Sequence, residues 1–226
     1  MKKIGLVGGI SWVSTADYYR FINEGVNDQM GWLLFAEFII YSLNFGDIQK
    51  LSWNNAYELL HNACVSLKNA GVAGIVLCAN TAHMYADKLS DAIQLPIIHI
   101  GEETAKAIQQ KGLKKVALLG TKFTMEMDFY KNKLEAYGLE VMVPQEQETR
   151  DYMQLTIKEE LGIGHINPRT KEQFIKIAND LVTNGAECII LGCTEIPLLI
   201  SQADFTVPVF DTTKIHSKAI VEFIIS

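Results

Sequence analysis

Short apolar runs alternate along this chain with longer segments in which apolar positions recur every three or four residues. Runs of four to eight apolar residues suit strands buried on both faces. The longer period suits helices that lay one stripe against a sheet. The alternation predicts parallel strands joined by crossover helices. The strands predicted are Lys3–Val7, Phe35–Tyr41, Ile75–Cys78, Ile97–Ile100, Val116–Leu119, Glu140–Val143, Ile189–Gly192 and Val207–Phe210. Helical patterning is clearest over Ala56–Ala70, Glu102–Lys111 and Lys171–Thr183. Asn69-Ala70-Gly71 and Thr183-Asn184-Gly185 read as helix stops that feed the next strand.

The pattern repeats. Lys3-Ile4-Gly5-Leu6-Val7-Gly8 is echoed by Lys115-Val116-Ala117-Leu118-Leu119-Gly120, an offset of 120 − 8 = 112. The segment from Gly71 to Asn80 is echoed from Gly185 to Thr194, with an offset of 193 − 79 = 114. Two matches in order at nearly one spacing predict a duplicated α/β unit. Open parallel sheets bind ligands at the carboxyl ends of their strands. Two such halves face to face would set Ala79-Asn80-Thr81 and Cys193-Thr194-Glu195 on opposite walls of one cleft.

Composition narrows the function. Hydrophobic residues make up 49% of 226 and charged residues 20%, which supports a packed core. The net charge of −6 and the absence of a basic cluster argue against nucleic-acid and anionic-membrane surfaces. The apolar start after Met1-Lys2-Lys3 is too short for a signal or membrane segment and reads as a first buried strand, with a cytoplasmic location expected. Cys64, Cys78, Cys188 and Cys193 lack zinc-site spacing, so they are expected as free thiols and no metal is expected.

Three places carry candidate chemistry. Gly8-Gly9 with Ser11, Ser14 and Thr15 offers amides and hydroxyls at a helix start, suited to a carboxylate or phosphate, or simply to a tight turn. The frame is wrong for a dinucleotide fingerprint and no P-loop lysine follows. Asn80, Thr81 and Ala82 follow a buried strand, with His83 read as a packing residue more readily than a base. Cys193, just past a strand and behind Gly192, is placed where a thiolate is stabilised, and Thr194 and Glu195 beside it could position substrate. Thr121 and Thr124 mirror the first glycine turn, and Asp211-Thr212-Thr213 with His216 is placed to close the same cleft.

Together these segments resemble the aspartate/glutamate racemases. The resemblance rests on Gly8–Trp12, Ser14–Arg20, Ala79–His83, Leu119–Met125, Gly192–Ile196 and Phe210–Thr213, and spans nearly the whole chain. It implies an α/β fold of two pseudo-twofold-related flavodoxin-like lobes, each a parallel sheet flanked by helices, with the cleft between them. Lobe 1 would comprise residues 1–100 with 208–226 packed back on it, and lobe 2 residues 101–207. It further implies a homodimer, a small amino-acid or dicarboxylate ligand, and racemisation without pyridoxal phosphate or any other cofactor. Two thiols on opposite faces of Cα would exchange its proton. The substrate-binding set implied is Ser11, Asn80, Thr81, Ala82, Thr121, Thr124, Thr194 and Glu195.

The sequence departs from that family at two points. Cys193 matches the second thiol, but Ala79 stands at the position of the first. Cys78 is one residue early and should face away, because side chains alternate along a strand. A replacement base would be Cys78, Thr81, His83 or a water. Where relatives place basic residues for a side-chain carboxylate, this chain has Asn44, Asp47 and His165, with Lys122 as a possible substitute. A one-thiol decarboxylase of the arylmalonate type and a silent binding relative are the alternatives to a racemase.

Overall fold

The computed structural model describes residues 1–226. The chain forms two compact units: Met1–Ile100 with Thr213–Ser226, and Gly101–Thr212. No helix is long and apolar enough to cross a membrane.

The first unit holds a parallel sheet of β1 (Ile4–Gly8), β2 (Phe38–Ser42) and β3 (Gly74–Leu77) in the order β2-β1-β3. Helices α1 (Trp12–Met30), α2 (Phe45–Leu51), α3 (Tyr57–Asn69) and α4 (Ala86–Ile93) belong to it. Every residue of β1 and β3 is buried, which is why both read as unbroken apolar runs. One face of the sheet meets Tyr18, Ile22 and Val26, spaced one turn apart along α1. On the other, Gly5 lies against Leu67 of α3, where an added Cβ would meet the Leu67 Cβ at 3.0 Å.

Two predicted strands come out differently. The second begins at Phe38 rather than Phe35, because the residues before it are held to α1, with Trp32 and Leu34 bonded to Asn27 and Ala36 to Asn23. Ile97–Ile100 is no full strand. Ile75 bridges Ile97, Ile75 N–H donates to Pro96 O (2.9 Å), and the chain enters the next helix at Ile100. Pro96 has no N–H to extend the ladder.

The second unit carries β4 (Lys115–Gly120), β5 (Glu140–Met142), β6 (Cys188–Gly192) and β7 (Val209–Asp211), all parallel, in the order β5-β4-β6-β7. Its helices are α5 (Ile100–Gln109), α6 (Lys122–Glu126), α7 (Asp128–Glu135), α8 (Gln147–Glu159) and α9 (Pro168–Thr183). Ala117, Leu119, Ile189 and Leu191 meet Met153 and Ile157 of α8 and Phe174, Ala178 and Leu181 of α9. With the Ile97 bridge added, the first sheet has the same order as the second, so the echo in sequence is also an echo in topology.

The last helix, α10 (Thr212–Ile225), returns to the first unit and puts Ile220, Val221 and Ile224 into its core. The division at 212/213 differs from the expected 207/208. Residues 208–212 stay with the second unit because β7 pairs with β6.

Candidate active site

In the first unit β1 ends at Gly8-Gly9. Gly9 has φ +77°, and a side chain there would run into the Leu43 backbone. Thr15 Oγ1 accepts from Gly9 N–H (2.9 Å) and donates to Ser11 O (2.8 Å), fixing the turn. The Ser11 hydroxyl oxygen caps α1 by accepting from Ser14 N–H at 3.3 Å, and its proton can still be offered to a ligand. Beside it, at the end of β3, Cys78 is fully buried with Val76 in the core facing α1. Burial drives its thiol far up from the ordinary range, which removes it as a replacement base. Ala79, Asn80, Thr81 and Ala82 follow, all buried, at the start of a short 3-10 helix Thr81–Tyr85.

Behind this edge lies a group of histidines. His83 Nδ1 sits 2.9 Å from Ala79 O, which only accepts, so Nδ1 carries the proton and Nε2 the lone pair. His216 Nε2 lies 2.8 Å from Ile98 O and must likewise donate, leaving Nδ1 to accept from Tyr18 O–H at 2.7 Å. The His83 ring packs edge-on to His99 and His216, at 4.8 and 5.4 Å between centroids. Burial first, then the nearby His83, lowers the His216 pKa to about 3, against the pull of the Ile98 carbonyl. His216, expected to close the ligand site, is instead a neutral ring inside the first unit. Tyr18 and His99 were not singled out from sequence, since 198 residues separate Tyr18 from His216.

In the second unit β4 and β6 end side by side, with Gly120 opposite Gly192. A Cβ on Gly192 would meet Leu118 Cδ1 at 2.8 Å, and one on Gly120 would meet Gly192 O at 3.0 Å. Cys193 follows, 6% exposed. Its thiol donates to Glu195 Oε2 at 2.9 Å, and Thr194 Oγ1 donates to the same oxygen at 3.0 Å. The backbone N–H groups of Glu195 and Ile196 point at the sulfur and favour a thiolate. They lose to burial and to the charge and hydrogen bond of Glu195, which hold the Cys193 pKa well above the thiol range. Cys193 thus carries its thiol proton against a carboxylate acceptor, while two backbone N–H groups stand ready on the sulfur.

Thr121 caps α6, its Oγ1 accepting from Thr124 N–H (3.2 Å) and lying 3.1 Å from Thr124 Oγ1. Thr212 Oγ1 donates to Leu191 O at 2.8 Å, tying the β7 end to β6. Lys122 is bound to Asp151 at 2.6 Å. Asn44 caps α2 and donates to Asp47 at 3.1 Å, while His165 is exposed beyond Gly164. The structure therefore groups Ser11, Ala79, Asn80, Thr81 and Ala82 on one sheet edge. It groups Thr121, Thr124, Cys193, Thr194 and Glu195 on the other.

Residues 7–220 match the family described as Asp/Glu/Hydantoin racemase. A crystal structure of a candidate Asp/Glu racemase from Yersinia pestis is 43% identical with a TM-score of 0.91, each chain covered in full. An aspartate racemase homologue from Pyrococcus horikoshii OT3 is 37% identical with a TM-score of 0.85, again over 100% of both chains. The broad-specificity amino-acid racemase RacX of Bacillus subtilis is 25% identical over 96% of each chain. The chain belongs to the Asp/Glu/hydantoin racemase family.

Proposed function

We propose that this chain racemises a small acidic amino acid, aspartate or glutamate, without pyridoxal phosphate, and that Cys193 is the acid/base on one face of Cα. The observation that carries this reading is the Cys193–Glu195 pair. A thiol with a carboxylate oxygen 2.9 Å away has a place to put its proton. When Glu195 takes it, the two N–H groups behind the sulfur hold the thiolate that abstracts from Cα. The reverse transfer returns the proton to the substrate. Thr121, Thr124, Thr194, Ser11, Asn80 and Thr81 supply the polar groups for the carboxylate and ammonium. Four unpaired, buried cysteines fit a reducing cytoplasm.

Ala79 has no proton to give. Of the groups near it, Cys78 is locked in the core, and a threonine hydroxyl is too weak a base. The second proton on this reading is carried by water or by His83, whose basic nitrogen is Nε2.

One observation favours a second reading. A protonated Cys193 is built to deliver a proton as much as to take one, which suits a decarboxylase that quenches an enediolate on a single face.

Incubation with each enantiomer of aspartate and glutamate in D₂O separates these. Loss of the Cα–H signal with inversion, absent in Cys193→Ser, is the expected result. Exchange without inversion would leave a one-faced enzyme. Release of CO₂ from a disubstituted malonate, with no exchange of any amino acid, would overturn the racemase reading.

A further inference from the structure

The first unit holds a ligand-sized space of its own. Helix α1 presents Phe21, Gly25 and Gln29, each one turn after the last, and α10 presents Lys214, Ser217, Lys218 and Val221 along one stripe. Between the two stripes lies a groove of about 180 Å³. The helices close on each other at Gly25, where an added Cβ would meet Val221 Cγ2 at 2.8 Å. The groove shares no residue with the Ser11 and Ala79 edge or with the Cys193 edge.

Its wall carries a polar atom that the fold does not use. Ser217 is 2% exposed, and its hydroxyl oxygen has no hydrogen-bond partner. Buried hydroxyls are nearly always bonded, and a helical serine can ordinarily turn to the carbonyl four residues back. A hydroxyl stranded on the wall of a groove is a donor for something that enters it.

The rim sets the sign of that ligand. Lys214 and Lys218 stand one turn apart, both exposed, and Lys218 takes part in no ion pair. The acids of the neighbouring α1 surface, Asp17 and Glu24, are held by Arg20 at 2.9 and 3.8 Å. The Arg20 guanidinium also lies over the Phe21 ring, 4.3 Å from its centroid. Phe21, Gly25 and Val221 make the remaining surface apolar.

We propose that this groove binds a small carboxylate with an apolar body. The body, a ring or branched chain, lies on Phe21, Gly25 and Val221. The carboxylate accepts from Ser217 O–H and from Lys218 Nζ, both charge-assisted bonds. A cavity of about 150 Å³ holds a benzene ring, so the volume suits a body of that size. An α-ammonium would be brought against Lys214 and Lys218, which sets this ligand apart from a free amino acid. The ligand touches both helices joined by the Tyr18–His216 bond, since Phe21 lies one turn beyond Tyr18 and Ser217 follows His216. Its binding therefore fastens α10 to the first unit.

Calorimetric titration of the full chain with benzoate tests the proposal, with benzamide lacking the charge and acetate lacking the body. Amide-shift mapping of the same samples locates the site. Benzoate is expected to bind with a Kd on the order of 1 mM. It should shift amides of residues 21–29 and 214–221, and each control should bind about tenfold more weakly. Ser217→Ala should weaken benzoate about tenfold and Lys218→Gln about threefold. Ser217→Ala should also melt no lower than the wild type, because an unpartnered hydroxyl gives the fold nothing. No binding up to roughly 10 mM overturns the proposal. So do shifts confined to residues outside the groove, benzamide that binds as tightly as benzoate, or variants with unchanged affinity. A Ser217→Ala chain that melts lower or fails to fold assigns the hydroxyl to the fold and overturns it too.

Discussion

The buried ring of His216 makes the first unit sensitive to mild acid. The ring is fully buried between Tyr18 O–H and the Ile98 carbonyl, and its pKa falls to about 3. In the unfolded chain it returns to about 6.5. Between those values the unfolded state binds the extra proton, so stability is complete above pH ~6.5 and drains away as pH falls toward ~3, at up to ~1.4 kcal/mol per unit. From pH 7 to pH 5 this one ring removes about 2 kcal/mol. For a chain of this size that lowers the melting temperature by roughly 4–8 °C. The window stops at pH 5 so that carboxylates stay ionised. Urea titration at both values measures the loss. Trp12, Trp32 and Trp53 are the only tryptophans and all lie in the first unit, so their fluorescence reports on it alone. His216→Gln should flatten the dependence by about that 2 kcal/mol, whatever its stability at pH 7. Equal wild-type stability at the two pH values, or an unchanged slope in His216→Gln, would refute the reasoning.

Cys193→Ser should slow Cα–H exchange by about 10²–10⁴-fold while leaving the melting temperature nearly unchanged, as read by NMR and calorimetry. Glu195→Gln removes the charge that holds the thiol proton, so the onset of Cys193 alkylation by iodoacetamide should move to lower pH. An unmoved profile contradicts the pairing. Gly192→Ala drives a methyl into Leu118 and should cost about 1–3 kcal/mol in urea unfolding. Tyr18→Phe strips His216 Nδ1 of its donor and should cost about 1–3 kcal/mol in the same assay, with no cavity at the sheet.

Much of the fold was legible because it is written in local patterns. The β1/β4 and β3/β6 echoes are strand-end motifs, and the two sheets repeat one strand order around them. The outward-or-inward choice at Cys78 followed from alternation alone. What failed needed information that no short window holds. The apolar run from Leu33 to Ala36 looks like strand, but side-chain amides 7 and 13 residues upstream capture its backbone. Residues 208–212 were assigned by where the chain ends up, not by which strand β7 pairs with. At the site, Cys193 and Glu195 were both visible, two residues apart. The direction of the effect was not, because it depends on a rotamer that brings the carboxylate to the sulfur. His216 was misread for a similar reason: its partners, Tyr18 and Ile98, are remote in sequence and supply no motif.

The return of α10 sets an order for synthesis. The second unit is one continuous stretch, Gly101–Thr212, and all four of its strands exist once Asp211 has been made. The first unit is interrupted. Ile4, Leu6, Tyr18 and Ile22 lack Ile220, Val221 and Ile224 until the residues after Thr212 emerge, and Lys2 N–H lacks its 2.8 Å bond to Ile224 O. At about 5–20 residues per second the gap lasts roughly 6–24 s. On the ribosome, the half that is begun first is therefore the half that is finished last, and its half-built core is the part of the nascent chain most in need of a chaperone.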